Sequence, residues 1–364
     1  MSKQIAVIGG GIHGLSIALA LAEKGAAVVL FEKAPKLFMG TSGATHNRAH
    51  MGYHYPKSVE TALECQNGLE LFKNKYPEVL HWPEEGYYVV AKDGSRTSVE
   101  DYIKFCQKIN IPSEMKWPAE HLLFRESISA SIFSPEPVFN TELLVKTLEE
   151  KCLTLGVKIK TDAEVIGGEK NLGGQFKIIT REGGMQVAYN ATVVINATYA
   201  YANNILKVFG MEKYMTKYRL QTTEVVVVRS AINVPPLTIM DGPFMSIMVY
   251  VGNPQLYLVY DVEHSVAEEI HGHMFDDGKT FSSNWEKMKI KGRKYFPFID
   301  QLEYVRSLWG SRPVPVDSAL QSRKTRLVKY SDYPGFYSLL EGKFISAPFV
   351  AEQLVKMIRE DNFL

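Results

Sequence analysis

The sequence predicts an α/β fold in which a largely parallel, helix-covered sheet carries an inserted antiparallel sheet. Three observations predict it. A strand, a glycine-rich turn, a helix and a second strand open the chain; β-branched and aromatic runs fill much of residues 222–262; and a strand followed by a helix closes the chain. Alternating strands and helices are typical of parallel sheets, whereas consecutive short strands are typical of antiparallel ones.

The individual elements follow from hydrophobic periodicity. Apolar β-branched runs predict strands, and apolar side chains at helical spacing predict helices. Strands are predicted at residues 4–8, 26–31, 86–91, 157–160, 191–197, 222–228, 246–251, 256–262 and 335–340, and helices at 12–24, 59–75, 97–108, 140–155 and 348–359. The change of character predicts two domains, a discontinuous nucleotide-binding domain (1–80, 136–215 and 306–364) and a substrate domain (81–135 and 216–305).

The first turn carries a nucleotide-binding pattern. Gly9-x-Gly11-x-x-Gly14 follows the first strand and opens the first helix, and Glu32 ends the second strand. Such glycines let the backbone approach a pyrophosphate at the positive end of the helix dipole. A carboxylate at the position of Glu32 accepts hydrogen bonds from a ribose diol. The sequence therefore predicts a bound dinucleotide, and the pattern alone leaves NAD and FAD open.

Composition restricts the class of protein. The 41 basic and 40 acidic side chains nearly cancel, so there is no electrostatic case for a nucleic-acid partner. No apolar run reaches the roughly 18 residues of a membrane span. The first strand begins almost at Met1, where a signal peptide would lie, and Cys65, Cys106 and Cys152 have no paired or metal-like spacing. We expect a cytoplasmic protein with reduced thiols and no integral membrane segment.

One segment concentrates titratable side chains. GTSGATHNRAHMGYHYP, residues 40–56, places three histidines four residues apart. Histidines at this spacing also form metal-binding helix faces, but the glycines and the proline predict a loop, and no cysteine or carboxylate completes a ligand set. We therefore predict no metal and interpret the segment as a loop over the cofactor. His50 and Tyr53 are placed at the cofactor, whereas His46 and His54 are expected to satisfy backbone carbonyls.

Four segments resemble the FAD-dependent D-amino acid oxidase/glycine oxidase superfamily, which includes sarcosine oxidase, glycerol-3-phosphate dehydrogenase and L-2-hydroxyglutarate oxidase. They are IAVIGGGIHGLSIALALAEKGAAVVLFEK (5–33), Thr41-Ser42 with His50-Met-Gly-Tyr53, VVINATYAYAN (193–203), and SLWGSRPVPVDSALQ (307–321) followed by GFYSLLEGKFISAPFVAEQL. Their order and spacing agree with the family. The chain departs from it at Tyr199, where glycine is usual, at Ser311, and at Asp317-Ser-Ala-Leu, which replaces Asp-Gly-x-Pro.

The resemblance implies extended FAD in a Rossmann-like domain of the GR2 type. Thr41 and Ser42 would contact the pyrophosphate or ribityl chain, and Gly342 and Lys343 the pyrimidine edge of the flavin, where a positive charge stabilises the reduced ring. His50 is a candidate for covalent flavin attachment, as in some relatives. The implied FAD contacts are Gly9, Gly11, Ile12, His13, Gly14, Glu32, Lys33, Thr41, Ser42, His50, Val165, Ala197, Thr198, Arg312, Gly342, Lys343 and Phe344.

The predicted function is dehydrogenation of a carbon that bears an amine or hydroxyl group in a small carboxylate-type substrate, by hydride transfer to flavin N5. The candidate catalytic residues are His50, Tyr53, Arg312 and Lys343. Arg312 corresponds to the family arginine that grips a substrate carboxylate, for which a guanidinium is suited. His50 would accept the proton of a 2-hydroxy acid, whereas an amine need only bind neutral. Tyr250 is a candidate for the pocket wall.

Reoxidation of the flavin by oxygen or by a quinone or similar carrier is left open. Two other functions also stay open. One is a redox-neutral flavoenzyme acting on a sugar nucleotide, for which Arg323-Lys324-x-Arg326 offers positive charge. The other is a non-catalytic flavin-binding protein.

Overall fold

The computed structural model describes residues 4–242, 245–275, 278–316, 325–340 and 342–364. Asp317-Ser-Ala-Leu, Arg323 and Lys324, which the sequence analysis singled out, lie outside these ranges. The strands are β1 (Gln4–Ile8), β2 (Ala27–Phe31), β3 (Leu80–His81), β4 (Tyr87–Ala91), β5 (Ile128–Phe133), β6 (Val138–Phe139), β7 (Lys158–Lys160), β8 (Ala163–Lys170), β9 (Phe176–Glu182), β10 (Met185–Ala191), β11 (Val193–Asn196), β12 (Tyr218–Arg229), β13 (Leu237–Met240), β14 (Met245–Val249), β15 (Leu256–Asp261), β16 (Val266–Gly272), β17 (Glu303–Pro315), β18 (Arg326–Lys329) and β19 (Phe336–Leu340). The helices are α1 (Ile12–Ala22), α2 (Val59–Lys75), α3 (Val99–Lys108), α4 (Thr141–Thr154), α5 (Ala202–Val208), α6 (Trp285–Gly292) and α7 (Ala347–Glu360).

A six-stranded sheet in the order β18-β19-β11-β1-β2-β7 forms the first half of the fold. All its neighbouring strands are parallel except β18, which runs antiparallel to β19. Both faces are covered: Ile5 and Val7 of β1 pack with α1, α4 and α7, while Ala6 and Ile8 pack with β8, β9 and α5. This double burial explains why β1 is apolar along almost its whole length, as parallel strands generally are.

A second, larger sheet has the order β16-β12-β15-β14-β13-β4-β5, and β17 pairs with β12 along most of its length. Its pairs are antiparallel except for β13 with β4. The alternation along β4 divides the side chains: Tyr87 and Val89 pack towards α6, and Tyr88 and Val90 pack towards α3. The predicted α/β class with a separate antiparallel sheet is confirmed.

Two features differ from the expected organisation. β8, β9 and β10 form a three-stranded antiparallel sheet that the sequence analysis did not predict. The expected domain boundary between residues 305 and 306 falls within β17, a strand of the large sheet. Among the described residues, no helix combines the length and the apolar character needed to cross a membrane.

The three cysteines behave as predicted. Cys65, Cys106 and Cys152 are free and buried, and burial raises the pKa of each thiol to about 12. Thiols with so high a pKa stay protonated and are poor nucleophiles at neutral pH.

Candidate active site

A cavity of about 1050 Å³ lies between the two large sheets. Its floor comes from the carboxyl ends of β1, β2 and β11, and its opposite wall comes from side chains of β12, β15 and β17. The carboxyl edge of a parallel sheet is where α/β proteins bind their ligands. The volume reaches the top of the usual range for small-molecule sites, about 300–1,000 Å³, so it can hold a large cofactor with a small second ligand.

The glycine turn after β1 is built for close approach. Gly9 has φ +110°, and a Cβ there would lie 2.7 Å from the carbonyl oxygen of Ala197. A Cβ at Gly14 would lie 1.8 Å from the Gly9 oxygen, so Gly14 is required for packing of α1 on the turn. By contrast, Gly11 lines the cavity, and a Cβ there would meet only the Ser42 hydroxyl, at 2.9 Å. Gly11 therefore keeps open the space in front of the helix.

The amino end of α1 offers a place for a pyrophosphate. The residue that precedes α1 provides no side-chain cap, and no acidic residue stands in the first turn. Ile12 N–H donates to the Ser42 hydroxyl over 3.0 Å, which brings the loop after β2 against the helix end. A helix amino terminus with this cradle of glycines fits an anionic group of a dinucleotide.

Glu32 is held in place by two backbone groups at the edge of the cavity. Its two carboxylate oxygens accept hydrogen bonds from Gly10 N–H at 2.7 Å and from Ala34 N–H at 2.8 Å. Each oxygen keeps further acceptor capacity. The carboxylate is thus fixed where it was predicted to bind a ribose diol.

The loop after β19 faces the same helix end. Gly342, Lys343 and Phe344 line the cavity, and Lys343 Nζ lies 4.7 Å from the centre of the Tyr55 ring. His13 packs against this loop, and burial lowers its pKa to about 4. His13 is therefore neutral at physiological pH and contributes no charge to the cofactor end.

Arg312 projects into the cavity from β17. Its Nε and Nη2 donate to Gln221 Oε1 over 2.9 and 2.5 Å, and its Nη1 donates to the Tyr260 hydroxyl over 3.3 Å. No carboxylate of the described part of the chain lies within ion-pair distance of it. These contacts use three of the five guanidinium N–H donors and leave one on each terminal nitrogen. The two N–H donors that remain, one on each terminal nitrogen, can bind a carboxylate in bidentate fashion.

His50 lies near a buried carboxylate that the sequence analysis missed. Its Nδ1 is 3.9 Å from Glu136 Oε1, too far for a hydrogen bond. Burial, together with the neighbouring His54, lowers the pKa of His50 well below its usual range. The imidazole lines the cavity and is neutral, so it can accept a hydrogen bond from a ligand, but the same burial makes it a weak base.

Most of the predicted site residues lie together. The predicted residues that line the cavity are Gly9, Gly11, Ile12, His13, Glu32, Lys33, Thr41, Ser42, His50, Val165, Ala197, Thr198, Arg312, Gly342, Lys343 and Phe344. Gly14 and Tyr53 do not line it. Tyr53 is fully buried, donates its hydroxyl hydrogen to Pro112 O over 2.9 Å and stacks on Tyr88. The turn at Gly52 directs it into the core although His50 is close in sequence.

Two further expectations need correction. Tyr260 rather than Tyr250 lines the cavity, because β15 turns the face with Tyr260 towards Arg312. His46 does not bind a backbone carbonyl but lines the cavity, with Nδ1 3.3 Å from the Ser246 hydroxyl and its ring 4.5 Å from that of Tyr260. Burial and the two nearby arginines lower the pKa of His46 to about 3.

The fold and the cavity define a dinucleotide-dependent enzyme. Comparison with family models narrows this class: the family described as FAD dependent oxidoreductase matches residues 4–357. The chain belongs to this family and is an FAD-dependent flavoprotein oxidoreductase. The glycine cradle, the open helix terminus and the fixed Glu32 carboxylate fit this cofactor.

The individual relatives share only low sequence identity with this chain. FAD-dependent monooxygenase kojA of Aspergillus flavus is 30% identical over 167 residues, which are 44% of this chain and 39% of that protein. The anaerobic glycerol-3-phosphate dehydrogenase subunit A1 of Haloferax volcanii is 25% identical over 389 residues, covering 97% of this chain and 63% of that protein. The crystal structure of glycine oxidase from Geobacillus kaustophilus superposes with a TM-score of 0.74 at 16% identity, covering 99% of this chain and 95% of that one. The structural likeness concerns the fold alone.

Proposed function

We propose that this chain dehydrogenates a carbon that bears an amine or hydroxyl group in a small substrate with a carboxylate. The observation that carries the proposal is Arg312, a guanidinium in the cavity whose described partners are neutral. When bound, FAD supplies the hydride acceptor. The chain itself has to bind the substrate, orient it and receive its proton.

Charge favours a small anion at Arg312. Arg48 also lines the cavity, but its guanidinium lies 3.3 Å from the Glu136 carboxylate, which offsets its charge. His46 and His50 are neutral because burial lowers the pKa of each. Among the described residues, Arg312 therefore carries a charge without an opposite charge beside it, and a bidentate carboxylate would supply one.

We take His50 as the acceptor of the proton of a hydroxyl substrate, although burial lowers its pKa and makes the free imidazole a weak base. The imidazole lines the cavity, and the Glu136 carboxylate, 3.9 Å from Nδ1, would stabilise the imidazolium that forms. An amine substrate that binds unprotonated needs no such base. The relative from Haloferax volcanii is named for glycerol 3-phosphate, which offers hydroxyl-bearing carbons but carries a phosphate in place of a carboxylate.

Each of the two predicted domains has its own role in this function. Residues 1–80, 136–215 and 306–364 would hold FAD, and residues 81–135 and 216–305 would form the substrate side, with β17 crossing from one to the other. Lys343, in the loop beside α1, would stabilise the negative charge of the reduced cofactor. Oxygen or a quinone-type carrier as electron acceptor and a cytoplasmic location stay predictions from the sequence.

The test is anaerobic mixing of the FAD-loaded protein with a panel of amino acids, secondary amines and 2-hydroxy acids, followed by flavin absorbance. At least one carboxylate should bleach the flavin. Replacing Arg312 by Met should raise KM for that substrate by about 100-fold, because charged hydrogen bonds of about 1.5–3 kcal/mol are lost. Arg306→Met, an exposed arginine on the same strand, is the control.

Two results would contradict the proposal. Bleaching by none of the panel would leave a non-catalytic or redox-neutral flavoprotein as the better interpretation. Unchanged KM in Arg312→Met, with Arg306→Met behaving the same, would remove Arg312 from substrate binding.

A further inference from the structure

We propose that Gln221 is a positioning residue that decides whether the cavity accepts an anion, and that Glu269 sets the orientation of its amide. The inference rests on the proposed function, since it concerns the availability of the Arg312 charge. Neither Gln221 nor Glu269 stood out in the sequence.

The three side chains are in register across three neighbouring strands. Gln221 of β12 is directly opposite Arg312 of β17 on one side and directly opposite Glu269 of β16 on the other. Residues directly opposite each other in antiparallel strands point to the same face of the sheet. Gln221 is 8% exposed, whereas Glu269 lies at the outer edge. The amide therefore links the cavity to the sheet edge.

The contacts on the two sides of the amide determine its orientation. Gln221 Nε2 donates to Glu269 Oε2, and Gln221 Oε1 accepts from both Nε and Nη2 of Arg312. A carboxylate has acceptors only, and a guanidinium has donors only. Rotating the amide by half a turn would place donor against donor and acceptor against acceptor. Glu269 thus holds the Gln221 oxygen towards Arg312.

The charge of Glu269 is offset by Arg219, which lies on β12 two residues before Gln221. Arg219 Nη1 lies 3.7 Å and His271 Nε2 lies 3.6 Å from its carboxylate oxygens. The neutral amide of Gln221 lies between the Glu269 carboxylate and the Arg312 guanidinium. Arg312 is consequently held by two hydrogen bonds that it donates to the amide oxygen, and no carboxylate of the described residues lies within ion-pair distance of it.

The residue at position 221 then determines whether the cavity favours a negatively charged substrate. A glutamate there has nearly the same shape as glutamine, but it would pair with Arg312 in register across the strands, as opposite charges do. The N–H donors left on the terminal nitrogens would remain, yet the net charge facing an incoming carboxylate would be close to zero. A glutamine at position 221 fixes the Arg312 guanidinium and leaves its positive charge available to the substrate.

The experiment measures binding of sodium propionate, a simple monocarboxylate, to the FAD-loaded protein through perturbation of the visible flavin spectrum. Gln221→Glu should weaken propionate binding by at least about tenfold, since an opposite charge beside the substrate is lost. FAD content and the unliganded spectrum should stay as in the wild type. Gln221→Met and Glu269→Gln should each weaken propionate binding by about threefold to tenfold. In Gln221→Met the Arg312 guanidinium loses its hydrogen bonds to the amide oxygen. In Glu269→Gln the Gln221 amide loses the carboxylate that orients it. Gln107→Glu, at an exposed position on α3, is the control for the added charge.

The outcomes separate this inference from the proposed function. Weak propionate binding in both Arg312→Met and Gln221→Glu supports it. Loss of binding in Arg312→Met with unchanged binding in Gln221→Glu overturns the role of Gln221 and leaves Arg312 in place. Wild-type affinity in Arg312→Met, or no binding to the wild type, overturns both. If Gln221→Glu does not take up FAD, unchanged affinity in Gln221→Met together with Glu269→Gln overturns the inference.

Discussion

Arg48 and Glu136 form a buried ion pair at the cavity, with Arg48 Nη1 3.3 Å from Glu136 Oε2 and only 4% and 5% of their side-chain surfaces accessible. Glu136 also accepts hydrogen bonds from the Tyr88 hydroxyl at 2.7 Å and from Met51 N–H at 2.7 Å. Arg48 Nη2 donates to the Thr238 hydroxyl over 2.6 Å. The pair therefore ties the loop that carries His50 to strands β4 and β13 of the large sheet.

Replacing Arg48 by Met should destabilise the protein by about 3–5 kcal/mol, because the Glu136 carboxylate is left buried without its counter-charge. Burial already raises the pKa of Glu136, and Arg48 is the main opposing influence. Urea unfolding followed by circular dichroism gives the loss. Arg48→Met/Glu136→Gln should be more stable than Arg48→Met, since the stranded charge is gone.

The matched control is Lys104→Met, which removes one partner of an exposed helical pair with Glu100. Its effect should be far smaller, as is usual for surface pairs. Equal losses in Arg48→Met and Lys104→Met would show that the buried pair has no special role in stability.

Replacing His50 by Gln should separate the two substrate types. If a hydroxyl substrate is oxidised, its flavin reduction rate should fall by about 100-fold or more, the usual worth of a general base. An amine substrate that binds neutral should lose less than about tenfold. Stopped-flow reduction under anaerobic conditions measures both, with His121→Gln at an exposed position as the control. A large loss with amines alone would contradict the role proposed for His50.

Replacing Gly11 by Ala should weaken FAD binding with little effect on the FAD-free fold. The added methyl group enters the cavity and meets only the Ser42 side chain, which could move aside at the loss of its hydrogen bond from Ile12 N–H, a cost of about 1 kcal/mol. It would, however, occupy space that the backbone leaves open for the pyrophosphate. Equilibrium titration with FAD should show at least about tenfold weaker binding, because a close backbone approach is blocked.

Gly272→Ala is the control, since a Cβ there has no described atom within 4 Å and the residue lies at the end of β16. Unchanged FAD affinity in Gly11→Ala would place the cofactor away from this turn.

Local sequence patterns account for the part of the cavity that carries the predicted nucleotide-binding pattern. β1, the glycine turn, α1 and β2 follow one another within residues 4–31 and were predicted almost to the residue. Here hydrophobic periodicity, glycine chemistry and a helix terminus all act over a few neighbouring residues. The same is true of the buried strands β4, β15 and β19.

Other parts depend on contacts that no local pattern encodes. Glu136 meets Arg48 across 88 residues, and Gln221 meets Arg312 across 91. The strands β8 to β10 were missed because their exposed positions are polar and their turns rich in glycine, so they lack a continuous apolar run. Tyr53 was misplaced because nearness to His50 in sequence does not fix the side of the loop on which a side chain lies.

Stability should depend on pH through His13. Burial lowers its pKa to about 4, whereas an unfolded histidine has a pKa near 6.5. As pH falls below 6.5, the unfolded chain takes up a proton that the folded chain does not, so the free energy of unfolding decreases until the folded His13 also protonates near pH 4. Between pH 6.5 and 4.5 the wild type should lose about 2 kcal/mol more than His13→Asn, on the order of 1 kcal/mol per pH unit. Urea unfolding at both pH values, with FAD saturating, measures this, and His121→Asn should follow the wild type. Parallel loss in the wild type and His13→Asn would mean that His13 titrates in the fold near its unfolded pKa, so that burial does not keep it neutral at pH 4.5.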